Sequence, residues 1–299
     1  MVRNLFVECL LVGAIVVSAS GCSIKLVYNN ADRFARWAVN DYIHMTDEQE
    51  AYFDAEVDAI HYWHRTSELP LYADYLDALP GKLDDGVSVE EVQDIFETLF
   101  AWWEVFEEKA MPMVTELMLS LTDEQVADLP SRLAKDNEEF AEDEEDRPVH
   151  QVQAEWAREY ADAVSRFSGR LTREQKDYLA AQSVRYLPQF ELWADYHRRW
   201  QGDLLKLLNE KRDDPKAFRE AFQQLTDNRE AYYGEELTAV FNMNEALAKE
   251  VTAWMLSHLN DAQRARFETR IGEMATAFRE LAEEVPDQVP QGGGCLVRC

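Results

Sequence analysis

The chain has 299 residues, 46% of them hydrophobic, and a formal net charge of −28 at pH 7. Its 8 Trp, 12 Tyr and 14 Phe are enough to build a sizeable core, which excludes a disordered acidic tail. The charge excludes nucleic acid as a partner, because phosphates repel a surface of the same sign.

Met1 to Asn4 make a short basic n-region with Arg3, and residues 5–18 are apolar apart from Glu8 and end in Ala19-Ser20-Gly21 before Cys22. This is the build of a signal peptide, too short to span a bilayer as a stable helix. Ala19-Ser20-Gly21-Cys22 resembles the lipobox of bacterial lipoproteins. The resemblance implies a cut between Gly21 and Cys22, a diacylglycerol on the Cys22 thiol and a further acyl chain such as palmitate on its new amine. Residues 1–21 are then the signal peptide and 22–29 a lipidated tether. Several acyl chains on one residue give durable anchoring, where one alone is marginal. Ser23 stands where the inner-membrane retention signal has Asp, which implies an outer-membrane anchor on the periplasmic side, the inner membrane being the alternative. Processing removes Arg3 and Glu8 together, so the charge of −28 is unchanged.

With only 11 Gly and 9 Pro, and no alternating Val/Ile/Thr runs, the period to look for is helical. The expected fold is all-α, a multi-helix bundle of long antiparallel hairpins. Helices are predicted at 30–43, 47–65, 69–79, 88–119, 123–145, 149–168, 173–186, 189–210, 215–224, 228–259 and 261–284. In 88–119, Val92, Phe96, Leu99, Trp103, Phe106, Ala110, Met113 and Leu117 recur at alternating intervals of four and three, with a kink expected at Pro112. In 228–259 the seam is Tyr233, Leu237, Val240, Asn244, Leu247, Val251 and Trp254. Seven acids between Glu138 and Asp146, followed by Pro148, mark a boundary between a helical half at 30–146 and another at 147–285 that packs with it. Gln291-Gly292-Gly293-Gly294 reads as a flexible linker within a tail at 286–299.

Four places share one phrase: Met45-Thr46-Asp47-Glu48-Gln49, Leu121-Thr122-Asp123-Glu124-Gln125, Leu171-Thr172-Arg173-Glu174-Gln175 and Leu259-Asn260-Asp261-Ala262-Gln263. Each reads as a capping box, in which Thr or Asn accepts a backbone N–H and Gln three residues on reaches back. The spacing is too irregular for a solenoid, and the echo suggests recurrent hairpins from an old duplication. The Leu-Thr-x-x-Gln phrase, complete at Leu121–Gln125 and Leu171–Gln175, resembles the motif of the periplasmic family that includes the chaperone Spy. A broader likeness rests on Leu26-Val27-Tyr28-Asn29-Asn30, Arg36-Trp37, Asp41-Tyr42, Trp63-His64-Arg65, Glu68-Leu69-Pro70 and His197-Arg198-Arg199-Trp200. Together with the lipobox these residues resemble a family of uncharacterised proteobacterial helical lipoproteins, which implies an all-helical body and carries no activity.

For chemistry, Asp54, Asp58, His61 and His64 fall near one helical face, and carboxylates with imidazoles are the ligands zinc or another transition metal takes. The alternative for these residues is a hydrogen-bonded structural role beside Tyr62 and Trp63. Arg198 and Arg199 are expected to pair with the chain's own acids. No nucleophile elbow, P-loop or dinucleotide fingerprint occurs. Cys295 and Cys299, the cysteines left after processing besides Cys22, are either a disulfide or two unpaired tail residues. The expected function is non-enzymatic and without cofactor. The expected partners are a membrane, through the anchor, and an envelope protein or polymer. A chaperone-like factor and a metal-binding helical protein are the alternatives.

Overall fold

Wherever the shared phrase occurs, the chain turns and a helix starts. Thr46, Thr172 and Asn260 each accept the backbone N–H of the Gln three residues on, and that Gln returns a bond to the cap. Thr122 and Gln125 make the same pair of bonds. Ser88 and Glu91 form a fifth box, which the repeated phrase does not include. Each box satisfies backbone donors that the first turn leaves free and fixes where the helix begins.

The structure, a computed structural model, describes residues 21–82, 86–144, 147–285, 289–294 and 296–297. Among them are twelve α-helices and no strand. They are α1 (Gly21–Tyr28), α2 (Ala31–Tyr42), α3 (Asp47–Trp63), α4 (Leu69–Lys82), α5 (Val89–Leu119) and α6 (Asp123–Glu144), then α7 (Val149–Ser168), α8 (Arg173–Ser183), α9 (Phe190–Lys211), α10 (Pro215–Asp227), α11 (Gly234–Ser257) and α12 (Asp261–Glu283). The all-α expectation holds.

Three details differ from the sequence reading. The stretch 22–29, read as a tether, is mostly helix α1. The helices expected at 47–65 and 69–79 run into one another through a π-helical turn, His64–Glu68. The helix expected at 228–259 breaks, because Gly234 takes a φ of 71° between a 3₁₀ turn at Arg229–Tyr232 and α11. The helix expected at 88–119 runs through Pro112 to Leu119 as α5, about 46 Å long.

Where it is described, the tail lies against α3. A Cβ on Gly293 would lie 2.6 Å from Tyr52 Cδ2 and 3.1 Å from the Tyr52 carbonyl oxygen, so only glycine lets the backbone lie this close to α3. Val297 then packs against the core beside α3.

Packing reveals two equivalent units of four helices. In the first, α2 packs on α3 and α6, and α3 on α5; in the second, α7 packs on α8 and α12, and α8 on α11. The loops match as well. Four residues, 43–46 and 169–172, join the first two helices of each unit, and three, 120–122 and 258–260, join the last two. The helices between are exchanged: α4, from the first half of the chain, lies on α12, while α9, from the second, lies on α6. Long α5 and α11 touch where the units meet. The sequence boundary near residue 146 therefore separates no two cores. One core gathers Phe53, Leu117, Val126, Leu208 and Phe218, and another gathers Ala73, Val92, Ala253 and Ile271, each drawing on both halves.

At the heart of each unit two glutamine amides face one another. Gln49 Nε2 donates to Gln125 Oε1 at 3.1 Å, and Gln125 Nε2 donates back to Gln49 Oε1 at 2.8 Å. In the second unit Gln175 and Gln263 exchange the same bonds at 3.0 and 2.9 Å. Each amide also reaches the turn of its partner: Gln49 to the Ser120 carbonyl, Gln125 to His44, Gln175 to His258 and Gln263 to Arg170. All four side chains are buried. Every donor and acceptor of the amides is used, which is what a polar pair in a dry site requires.

Candidate functional site

Residues 1–20 of the expected signal peptide lie outside the described residues, and so do Cys295 and Cys299 of the expected disulfide. Of Gly21 and Cys22, the expected cleavage and lipidation position, only the backbone is placed, in the first turn of α1. Immediately after Cys22 the chain is fastened to the body. Ile24 is 3% exposed and packs with Leu69, Tyr72, Ala277 and Leu281. Lys25 pairs with Glu280 and, at 3.2 Å, with Glu284. The bond with Glu280 chiefly raises the Lys25 pKa, while bonds from Asn29 and Lys25 lower that of Glu284.

The π-helical turn is the other half of this attachment. A wider turn swings Arg65 inward, where it is 9% exposed and its Nη1 donates to the carbonyls of Leu281 at 3.1 Å and Glu284 at 2.9 Å. A guanidinium thus satisfies the free carbonyls that end α12, where its charge also suits the helix dipole. Arg65 bonds Asn29 as well, and it sits 5.0 Å from the ring centroid of Tyr28. Tyr28 Oη lies 2.8 Å from His64 Nδ1.

These contacts decide what the four candidate metal ligands do. Asp54 is taken by Arg36. His64 is taken by Tyr28, with Tyr72 and Phe106 edge-on to its ring. Burial, aided by His61, pushes the His64 pKa down to about 4, and burial and Arg65 push His61 down. Both imidazoles are held neutral at pH 7. His61 Nε2 is buried without a protein partner. Among the described residues no group of three or more His, Cys, Asp or Glu is placed to hold a metal ion. Asp54, Asp58, His61 and His64 share a face without converging on a point. Arg198 and Arg199 meet Asp195 at 3.8 and 3.0 Å, the internal pairing expected.

A model described as a family of unknown function, DUF6279, matches residues 41–238. The chain belongs to that family. The match begins at the end of α2 and runs into α11, so it covers three of the four glutamine caps and both exchanged helices. No curated protein and no solved structure matches the chain.

Sequence reasoning missed two features here. One is the attachment of α1, whose signal was Tyr28-Asn29-Asn30, since a free tether is made of Gly and Ser rather than of an aromatic followed by two amides. The other is α2, where Phe34 is 56% exposed, Trp37 68% and Tyr42 36%. No other aromatic side chain among the described residues stands so far out of the body. Among these residues no helix is long and apolar enough to cross a membrane.

Proposed function

We propose that the protein is a non-enzymatic lipoprotein of the bacterial envelope, held by acyl chains on Cys22 at the periplasmic face of the outer membrane. Its acidic helical body engages a protein or polymer partner there. The observation that carries this reading is the meeting of Ala19-Ser20-Gly21-Cys22 with a helix fastened to the body from Ile24 onward. A cysteine in that position has the body's attachment directly behind it, as an anchor point needs. Among the described residues the neutral, caged His64 and the internally paired Arg198 and Arg199 offer no reactive constellation, which supports a binding role over catalysis.

The test is the full chain made in a bacterial host, wild type beside Cys22→Ser. The wild type should partition into the membrane fraction, and its N-terminal peptide should begin at residue 22 and carry the mass of the acyl chains. The variant should remain uncleaved and unacylated. A wild-type chain with an unmodified cysteine would refute the anchoring. Cross-linking in the intact envelope should trap a partner, and repeated recovery of the protein alone would refute the partner half.

A further inference from the structure

We propose that the outer face of α2 is a bilayer contact surface: Phe34 and Trp37 enter the lipid interface beside the acylated Cys22 and fix the orientation of the body on the membrane. This deepens the proposed function and rests on the anchoring at Cys22. Within α2, Ala35 and Val39 turn inward against the first core, while Phe34 and Trp37 point away from it and are exposed, flanked by Arg33 and Asp41. An apolar face containing a 68% exposed Trp is costly in water, and indole is the side chain most suited to the boundary between head groups and acyl chains. Elsewhere among the described residues the exposed large hydrophobics are aliphatic and scattered, such as Leu71, Val105 and Val184.

Distance and charge then choose the occupant. With α1 docked through Ile24, Cys22 has no slack, and the helical rise with the short link puts Trp37 at most about 30 Å from it along the chain. Acyl chains inserted at Cys22 therefore bring a bilayer within reach of α2. Leu26, 66% exposed on α1, lies between the two. The segment is also less acidic than the body: in residues 23–42 Lys25 and Arg36 are met by Glu280, Glu284 and Asp54, and Arg33 stands beside Asp32 and Asp41, whereas the whole chain has 30 basic and 58 acidic residues. A lipid surface with some anionic head groups repels the acidic remainder more strongly than this segment, which points that remainder toward the periplasm.

The experiment uses the acylated full-length protein reconstituted into vesicles of phosphatidylcholine with a minor share of phosphatidylglycerol, the acyl chains brominated near the glycerol end. Bromine quenches tryptophan in contact with it. The wild type should lose fluorescence relative to unbrominated vesicles, and Trp37→Phe, which keeps an apolar ring at the surface, should lose much less. Equal quenching of both acylated proteins would overturn the proposal while leaving the anchor intact. An N-terminal peptide without acyl chains, read by mass spectrometry on the same samples, would remove the anchoring and the proposal with it. Cross-linking of the acylated protein in the intact envelope covers the rival occupant: a homodimer abolished by Phe34→Ser with Trp37→Ser would assign the face to a second copy and overturn the lipid contact.

Discussion

The two four-helix units share a plan and differ in how it is secured. In both, a pair of helices joined by four residues crosses a pair joined by three, and two glutamine amides close the crossing by exchanging hydrogen bonds. The second pair is deeper, with Gln175 and Gln263 at 1% and 4% exposed against 3% and 9% for Gln49 and Gln125. In the first unit the Ser120 hydroxyl adds an acceptor for Gln49 at 3.2 Å. The second uses Asn260 where the other three caps use Thr, and its bonds are otherwise the same. The amide exchange with the opposite turn is therefore the feature both units have kept. The cap residue and the surrounding apolar side chains have been free to vary.

Removing one amide leaves its partner with a donor and an acceptor in a dry site, and each unsatisfied buried group costs about 1–3 kcal/mol. Gln175→Ala or Gln263→Ala should lower the unfolding free energy by about 3 kcal/mol. Gln49→Ala should cost about 2 kcal/mol, because the stranded Gln125 is nearer to solvent than either glutamine of the second unit. Urea denaturation of each variant gives these values. The double variant Gln175→Ala/Gln263→Ala should fall well short of the sum of the singles, since the second substitution removes the group the first left stranded. Additive doubles in both units would mean that each glutamine acts only as the cap of its own helix.

The caps at Thr46, Thr122, Thr172 and Asn260 are legible in the sequence because a capping box is local: four residues contain both partners. The helix limits follow from the same residues and from periodicity. The pairing of Gln49 with Gln125, 76 residues apart, has no local signature, because the amide that serves the cap is the one that serves the crossing. The exchange of α4 and α9 between units is equally silent, since a helix shows which face is apolar and not which partner covers it. At the candidate site, Cys22 and His64 both stand out in the sequence, yet the role of Arg65 depends on the end of α12, 216 residues on. The His-rich face suggests metal because spacing along a helix says nothing of Arg36 and Tyr28, which arrive from elsewhere to occupy Asp54 and His64.

Each side of the molecule holds a histidine whose pKa burial lowers strongly. His64 sits between α1 and α4, and His197, on α9, lies among Phe140, Trp193 and Tyr196; burial pushes both down to about 4. A folded pKa below the unfolded value of about 6.5 means that the native state binds fewer protons. Stability from these groups is then complete above pH 6.5 and falls as the pH drops from 6.5 to 4. The drop for His64 is on the order of 3 kcal/mol, and that for the less buried His197 is smaller. Lowered carboxylates such as Glu250, bonded to Arg185, add an acid loss at lower pH. Denaturation between pH 7.5 and 4.5 should show this slope, and His64→Gln should flatten it more than His197→Gln does. Equal slopes in all three proteins would place the acid sensitivity elsewhere.

The smallest expected effect lies where the equivalent four-residue turns diverge. Position 169 is glycine at φ 82° and ψ −161°, whereas its counterpart Ile43 is extended at φ −134° and buried. The second turn therefore enters a region of backbone space that only glycine occupies without strain. A Cβ there would also approach Arg266 Cδ at 3.0 Å. The arginine arm can swing aside, so most of the penalty of Gly169→Ala is backbone strain, about 1–2 kcal/mol by urea denaturation. Adding Arg266→Ala separates the two contributions. If the backbone carries the cost, the double variant stays as destabilised as Gly169→Ala measured against Arg266→Ala alone. If Arg266→Ala restores stability, the glycine is there for the arginine, and the two turns differ by a side-chain contact instead of by the path of the chain.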